Sequence, residues 1–141
     1  MELLKASNLS GNYSGSAFGT YWTSGGGADM SGSFSAEINF GAAVPITNFE
    51  IHVSGNGHQV DISGAEGQFT DPNNPSHFVV PSGGATGTWI FDGSDPADTG
   101  TYNKIAYGSV YGPNGEAVGG VWKIDKESLG HHATGIFQGT K

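Results

Sequence analysis

Apolar and polar residues alternate along most of this chain, and the spacing of an amphipathic helix is almost absent. Residues 33–40 place Phe34, Ala36, Ile38 and Phe40 on one face and Ser33, Ser35, Glu37 and Asn39 on the other, the pattern of a half-buried strand. Residues 49–54 repeat it. Gly55-Asn56-Gly57 then supplies residues that accept positive φ, and residues 58–63 run back with Val60 and Ile62 inward. Together these two segments predict a β-hairpin. A first strand is expected over residues 13–22, where Gly11, Gly15 and Gly19 recur every four residues and so share one strand face, with Phe18, Tyr21 and Trp22 flanking them. Glycines so spaced mark sharp bends or close backbone approach, as barrel closure requires. Ser24-Gly25-Gly26-Gly27 reads as a turn, and further strands are expected at 76–80, 86–91, 104–111, 117–124 and 133–138. Eight or nine strands separated by turn residues point to an antiparallel barrel or sandwich. Asp71-Pro72-Asn73-Asn74-Pro75 and residues 92–100 are the two acidic loops, and no internal repeat is present.

Composition narrows the classes further. Of 141 residues 25 are glycine, more than twice the usual share of roughly 7%, but their spacing is irregular, which excludes collagen. The chain bears 13 acidic and 5 basic residues, all five lysine, for a formal charge of −8. That balance leaves little to neutralise phosphates and no arginine fork to read bases, so nucleic acid and anionic lipid surfaces are excluded as main partners. No apolar run is long enough for a membrane-spanning helix. Met1-Glu2-Leu3-Leu4-Lys5 is too short an apolar stretch for a signal peptide, so residues 1–9 read as an N-terminal extension or fragment boundary and residues 10–141 as one domain. Absence of cysteine with abundant Gly, Ser, Thr, Asn and Asp fits an exported bacterial protein better than a cytosolic enzyme.

Catalytic chemistry finds few footholds. Thiol chemistry is removed by the lack of cysteine, and no Gly-x-Ser-x-Gly stands on a strand-to-helix turn. Glu37, Glu50 and Asp61 sit on polar strand faces, where a solvated outer wall is the simpler account than a glycosidase pair. His52 and His58 flank the predicted hairpin turn and could share a divalent metal with Asp61 or Glu50, whereas adjacent His131 and His132 point apart. Asp92, Asp95 and Asp98 lack the order of an EF-hand loop but could form a looser oxygen-ligand site. Trp89 and Trp122 are expected in the core. Partner contacts are expected at loop residues Asp71, Asn73, Asn74, Asp92, Asp95 and Asp98 and at the hairpin tip Asn56.

One segment carries a more specific signal. The run 108–120, Gly-Ser-Val-Tyr-Gly-Pro-Asn-Gly-Glu-Ala-Val-Gly-Gly, followed by the closing 135–141, Gly-Ile-Phe-Gln-Gly-Thr-Lys, resembles the end of the transferrin-binding protein B type β-barrel domain. Asn39-Phe40-Gly41 resembles that family's Asp-Phe-Gly strand end. Departures are Asn39 in place of the family's Asp and Gln138 inserted before Gly139. The resemblance implies an all-β fold: a single antiparallel up-and-down β-barrel of about eight strands, Gly-rich, from bacterial surface lipoproteins and secreted relatives, and either the whole of a shorter relative or the C-terminal module of a larger exported protein. Phe137 would plug the barrel end. The function implied is non-enzymatic: a binding or scaffold module, extracellular or on the outer-membrane surface, touching a protein or glycan at the cell surface through its loops. The alternatives are a carrier of haem, metal or a small solute, and a subunit of an extracellular filament or array built by edge-strand pairing.

Overall fold

The computed structural model describes residues 10–71, 73–81, 87–91, 104–126 and 130–141, and these residues form nine strands and no helix. They are β1 (Ser10–Thr23), β2 (Gly26–Asn39), β3 (Ile46–Gly55), β4 (His58–Phe69), β5 (His77–Pro81), β6 (Thr88–Phe91), β7 (Lys104–Tyr111), β8 (Ala117–Lys126) and β9 (His131–Thr140). All pairings are antiparallel, and the order β3-β2-β1-β9-β8-β7-β5-β4, closed by β3 on β4, is an up-and-down barrel of eight staves. The stave between β4 and β7 is composite. β5 pairs with the end of β4 at Gln68 and Phe69, while β6 pairs with its start from Val60 to Ser63. Among the described residues β6 is paired on one side only, with β4, so one short edge stays available to the edge-pairing alternative.

Period-2 alternation sends one face of every strand into the lumen. Tyr13, Ala17 and Tyr21 of β1, Phe34, Ala36 and Ile38 of β2, Val118, Trp122 and Ile124 of β8, and Ala133 and Phe137 of β9 are all buried, as are Trp89 and Phe91 of β6. What lets the lumen close around so many rings is glycine. Gly15 faces Gly139, Gly19 faces Gly135, and Gly108 faces Gly120 across neighbouring strands. Each pair shares its row with an aromatic residue that lies over it: Phe34 beside Gly15, Trp122 beside Gly135, and Phe137 and Phe78 on either side of Gly120 and Gly108. A Cβ at Gly19 would lie 2.4 Å from the Trp122 indole, and one at Gly108 2.2 Å from the Phe78 ring. Phe137 packs among Phe34, Phe49 and Phe78, with ring centroids 4.6, 5.3 and 6.4 Å away. It is therefore part of the core, not a plug at the barrel end.

The expected hairpin is present, with Asn56 and Gly57 both at positive φ (51° and 84°), the backbone of a two-residue type I′ turn. Two strands run longer than their alternation indicates. β2 begins at Gly26 because Ala28 and Met30 continue the inward row through a Gly/Ser/Asp stretch. β4 continues past Ser63 because Gly64, at φ 62°, absorbs a bulge that shifts the inward positions from Ile62 to Ala65. The inserted Gln138 causes no such bulge: β9 stays in register with β1 and β8 through Thr140.

The glycine rows generate a sharp contrast. Gly135→Ala is expected to lower stability by about 1–3 kcal/mol, the range of overpacked cores, because its Cβ would meet Gly19 backbone and the Trp122 ring at 2.7 Å. Gly119→Ala, whose nearest contact would be an ordinary 3.4 Å, is expected to stay within about 0.5 kcal/mol of the parent. Denaturant unfolding of the two variants side by side checks both.

Candidate functional site

A solute carrier needs a chamber, and the described part of this lumen is packed with side chains. The surface depressions lie on the outer wall and are open to solvent. At one end of the barrel, Tyr21 packs against His58 with centroids 4.2 Å apart and the rings tilted by 42°, Asn56 Nδ2 donates to Tyr21 Oη at 3.1 Å, and His131 meets Phe91 at 5.6 Å. These groups close the mouth with rings. At the opposite end, the buried Tyr13 phenol donates to the Gly115 carbonyl, and burial, with the Glu116 carboxylate nearby, raises its pKa to about 12. Lys141 Nζ donates to the Asn114 carbonyl at 3.1 Å.

The residues expected to touch a partner are divided between these ends. Asn56 lies at the tip of the β3–β4 hairpin, whereas Asp71, Asn73 and Asn74 lie in the β4–β5 connection at the other end. There Asp71 Oδ1 accepts the Asn73 N–H at 2.9 Å and its carbonyl accepts the Asn74 N–H at 3.0 Å. Asp71 thus folds its own loop, while the side chains of Asn73 and Asn74 are exposed. Asp92, Asp95 and Asp98 lie outside the described residues.

The expected metal triad of His52, His58 and Asp61 does not assemble. His52 and Asp61 are cross-strand partners on the outer face, but His58 is one strand parity away and turns to the mouth against Tyr21. Among the described residues no group of three or more His, Asp or Glu side chains is placed to hold a metal ion. His52 instead sits in a carboxylate clamp: Nδ1 is 2.8 Å from Asp61 Oδ1 and Nε2 is 3.1 Å from Glu50 Oε1. Gln59 Nε2 donates to the other Asp61 oxygen at 2.8 Å. Partial burial penalises the imidazolium, but the hydrogen bonds and charges of Asp61 and Glu50 outweigh it, and the His52 pKa lies above the ordinary 6.5. A serine–histidine–aspartate relay would place a hydroxyl at Nε2; Glu50 occupies that position.

Outside, the barrel has two unlike walls. β2, β3 and β4 present Asp29, Ser31, Ser33, Ser35, Glu37, Glu50, His52, Ser54 and Asp61, and a shallow polar groove runs between Asn12, Ser35, Glu37, Asn48 and Glu50. Such a wall breaks the encircling apolar band that a membrane-spanning barrel carries. β1, β9, β8 and β7 present Phe18, Ile136, Val121 and Tyr107 instead, each about half exposed. Sequence reasoning missed that second wall. Its signal was present in Val121-Trp122 and Ile136-Phe137: two bulky neighbours on one strand cannot both face the lumen. Behind the apolar wall's upper margin, Asp125 is buried against Lys123 Nζ (3.3 Å) and His132 Nδ1 (3.2 Å).

No protein-family model matches the chain, and no curated protein matches it at a significant level. Solved structures do resemble it. Two mutant structures of the vaccine antigen transferrin-binding protein B (TbpB) from Haemophilus parasuis superpose with TM-scores of 0.51 and 0.53 over 94% of this chain, at 11% and 10% identity. The chain spans about a quarter of their length, 26% and 25%. At that identity the likeness is one of fold alone.

The clamp fixes a pH dependence. Because the folded pKa of His52 is raised, its contribution to stability is complete below pH 6.5 and is lost as pH rises through the folded value. His52→Gln should therefore cost more stability at pH 5.5–6 than above the folded His52 transition. Titration by NMR should place the His52 transition above 6.5, and Asp61→Asn should bring it down; an unshifted His52 in the parent would contradict the clamp.

Proposed function

We propose that this chain is a non-enzymatic binding module of an exported bacterial surface protein. The barrel is a rigid support, and the loops at one end contact a protein partner. The observation that carries this reading is the packed lumen, which puts recognition on the outside of the molecule. The likeness to TbpB barrels supports a surface setting, since TbpB is by name a protein that binds a protein, transferrin. The local chemistry at His52 supports a non-catalytic role there: carboxylates take both ring nitrogens, which leaves no position for a hydroxyl nucleophile.

Within this reading the contact loop is the β4–β5 connection. Asn73 and Asn74 are exposed on a loop whose shape is fixed by Asp71 and by the Val110 N–H to Ser76 carbonyl bond at 2.8 Å, so they are presented with little entropy left to lose. Neighbouring Asn114 and Glu116 share that end of the barrel, where backbone N–H groups hold the Glu116 carboxyl below its usual pKa.

Location is tested first. Antibody raised against the purified barrel should label intact cells of the source organism; labelling only after permeabilisation would overturn the surface reading. Contact is tested by surface plasmon resonance of the immobilised chain against host serum proteins, transferrin included, and against neutral and acidic glycans. Saturable binding to a protein that weakens at least tenfold in the Asn73→Ala/Asn74→Ala double variant is the expected result. Binding to glycans alone, or protein binding unaffected by the double variant, would overturn the assignment of partner class or of loop.

A further inference from the structure

One row of apolar side chains crosses the outside of the barrel without interruption. Phe18 of β1 is the direct partner of Ile136 of β9, Ile136 of Val121 of β8, Val121 of Tyr107 of β7, and Tyr107 of Val79 of β5. The first four are exposed by 45%, 55%, 49% and 50%. Single exposed hydrophobic residues are normal on a soluble protein, but a contiguous patch on adjacent strands marks a surface made to be covered.

Charge is sorted to match. On β1, β9, β8, β7 and β5 the apolar row and the rows one pleat to either side hold a single formal charge, Lys123, which is tied to Asp125. His77, in the lower of these rows, shares a hydrogen bond of 2.7 Å with Ser109. The carboxylates of Glu37, Glu50 and Asp61 lie on β2, β3 and β4, around the barrel from this wall, while Asp29 borders it on β2, where it accepts the Thr20 hydroxyl at 3.3 Å. Relief is also paired. One pleat from the ridge of Ile136 and Val121 runs an open groove, floored by Gly119 and Gly120 and bounded by Tyr111 and Gln138.

We propose that this wall is a self-association face, on which a second copy of the chain docks about a two-fold axis. Two copies of a chain with net charge −8 repel through almost any other contact; here they meet with their carboxylate walls turned away from each other. A two-fold contact brings one patch against itself, so the patch must hold both knob and hole. This one does: the ridge of Ile136 and Val121 of each copy enters the glycine-floored groove of the other. Four strand spacings of about 4.8 Å by three or four pleats of about 6.8 Å give a wall of roughly 400–500 Å². That is short of the ~800 Å² per partner of a stable complex, so the dimer exchanges with monomer and is populated only at high concentration.

Sedimentation equilibrium of the purified chain from about 10 μM to 1 mM, with heteronuclear NMR over the same range, tests it. Weight-average mass should rise from the monomer toward twice its value, more steeply in 0.5 M NaCl, which screens the net charge. Amide signals of Phe18, Tyr107, Val121 and Ile136 should shift with concentration, while those of Glu37 and His52 stay fixed. Val121→Glu and Ile136→Glu should each hold the mass at the monomer value with an unfolding midpoint within a few degrees of the parent; Ser33→Glu, on the carboxylate wall, should leave dimerisation unchanged. A parent that is monomeric at 1 mM in 0.5 M NaCl overturns the proposal, as does a dimer that survives both glutamates or whose shifts map to the carboxylate wall. Should either glutamate variant fail to fold, the concentration-dependent shifts of the parent decide alone.

Discussion

The closing side of this barrel, from β1 through β9 and β8 to β7, depends on rings lying over glycine. A lumen of eight strands is just wide enough to be filled by side chains, and here the filling is done by Phe34, Phe78, Phe137 and Trp122 reaching along their rows over Gly15, Gly19, Gly108, Gly120, Gly135 and Gly139. Two of the three glycine pairs lie on the β1–β9 seam, where the first and last described strands meet. Packing and closure are thus one event: the seam can approach only where a side chain is missing, and the space so freed is taken by an indole and a phenyl ring.

The same arithmetic decides what the outside is for. Since successive residues of a strand face opposite ways, a bulky residue beside a luminal ring must face out. On β8 and β9 that rule produces Val121 beside Trp122 and Ile136 beside Phe137; on β2 it produces serines and carboxylates beside Phe34, Ala36 and Ile38. The division of the exterior into a carboxylate wall and an apolar wall is therefore written strand by strand, with the lumen held apolar all round. Electrostatics follows the same division, with His52 bracketed by Glu50 and Asp61 on one side and Lys123 bound to buried Asp125 on the other.

Much of this was legible in the residues and some was not. Strands with clean alternation, such as residues 49–54 and 104–111, emerge close to their observed extents, and Asn56-Gly57 specifies its turn unaided. The strand extension after Ser63 was hidden because Gly64 adds one residue and inverts the parity of all that follow, which no periodicity search can see through. His52, His58 and Asp61 looked like a ligand set because they are close in sequence across a hairpin; parity separates His58 from the other two, and that depends on register. Asn56 and Asp71 both read correctly as turn residues, yet only the topology assigns them to opposite ends of the barrel. The apolar wall escaped notice for a different reason: Val and Ile in a strand are counted as core by habit, and pairwise partners across β1, β9, β8 and β7 are needed before they join into a row.

The β1–β9 seam has one more implication. Ser14 is paired with Thr140, and the Lys141 N–H bonds to the Glu116 carbonyl beside the Tyr13 ring, so the backbone arrives and departs at one end of the barrel, two strands' breadth apart at most. Chain entering and leaving the described barrel at that one end crosses none of the eight staves, so the paired strands carry no strain from either direction of approach.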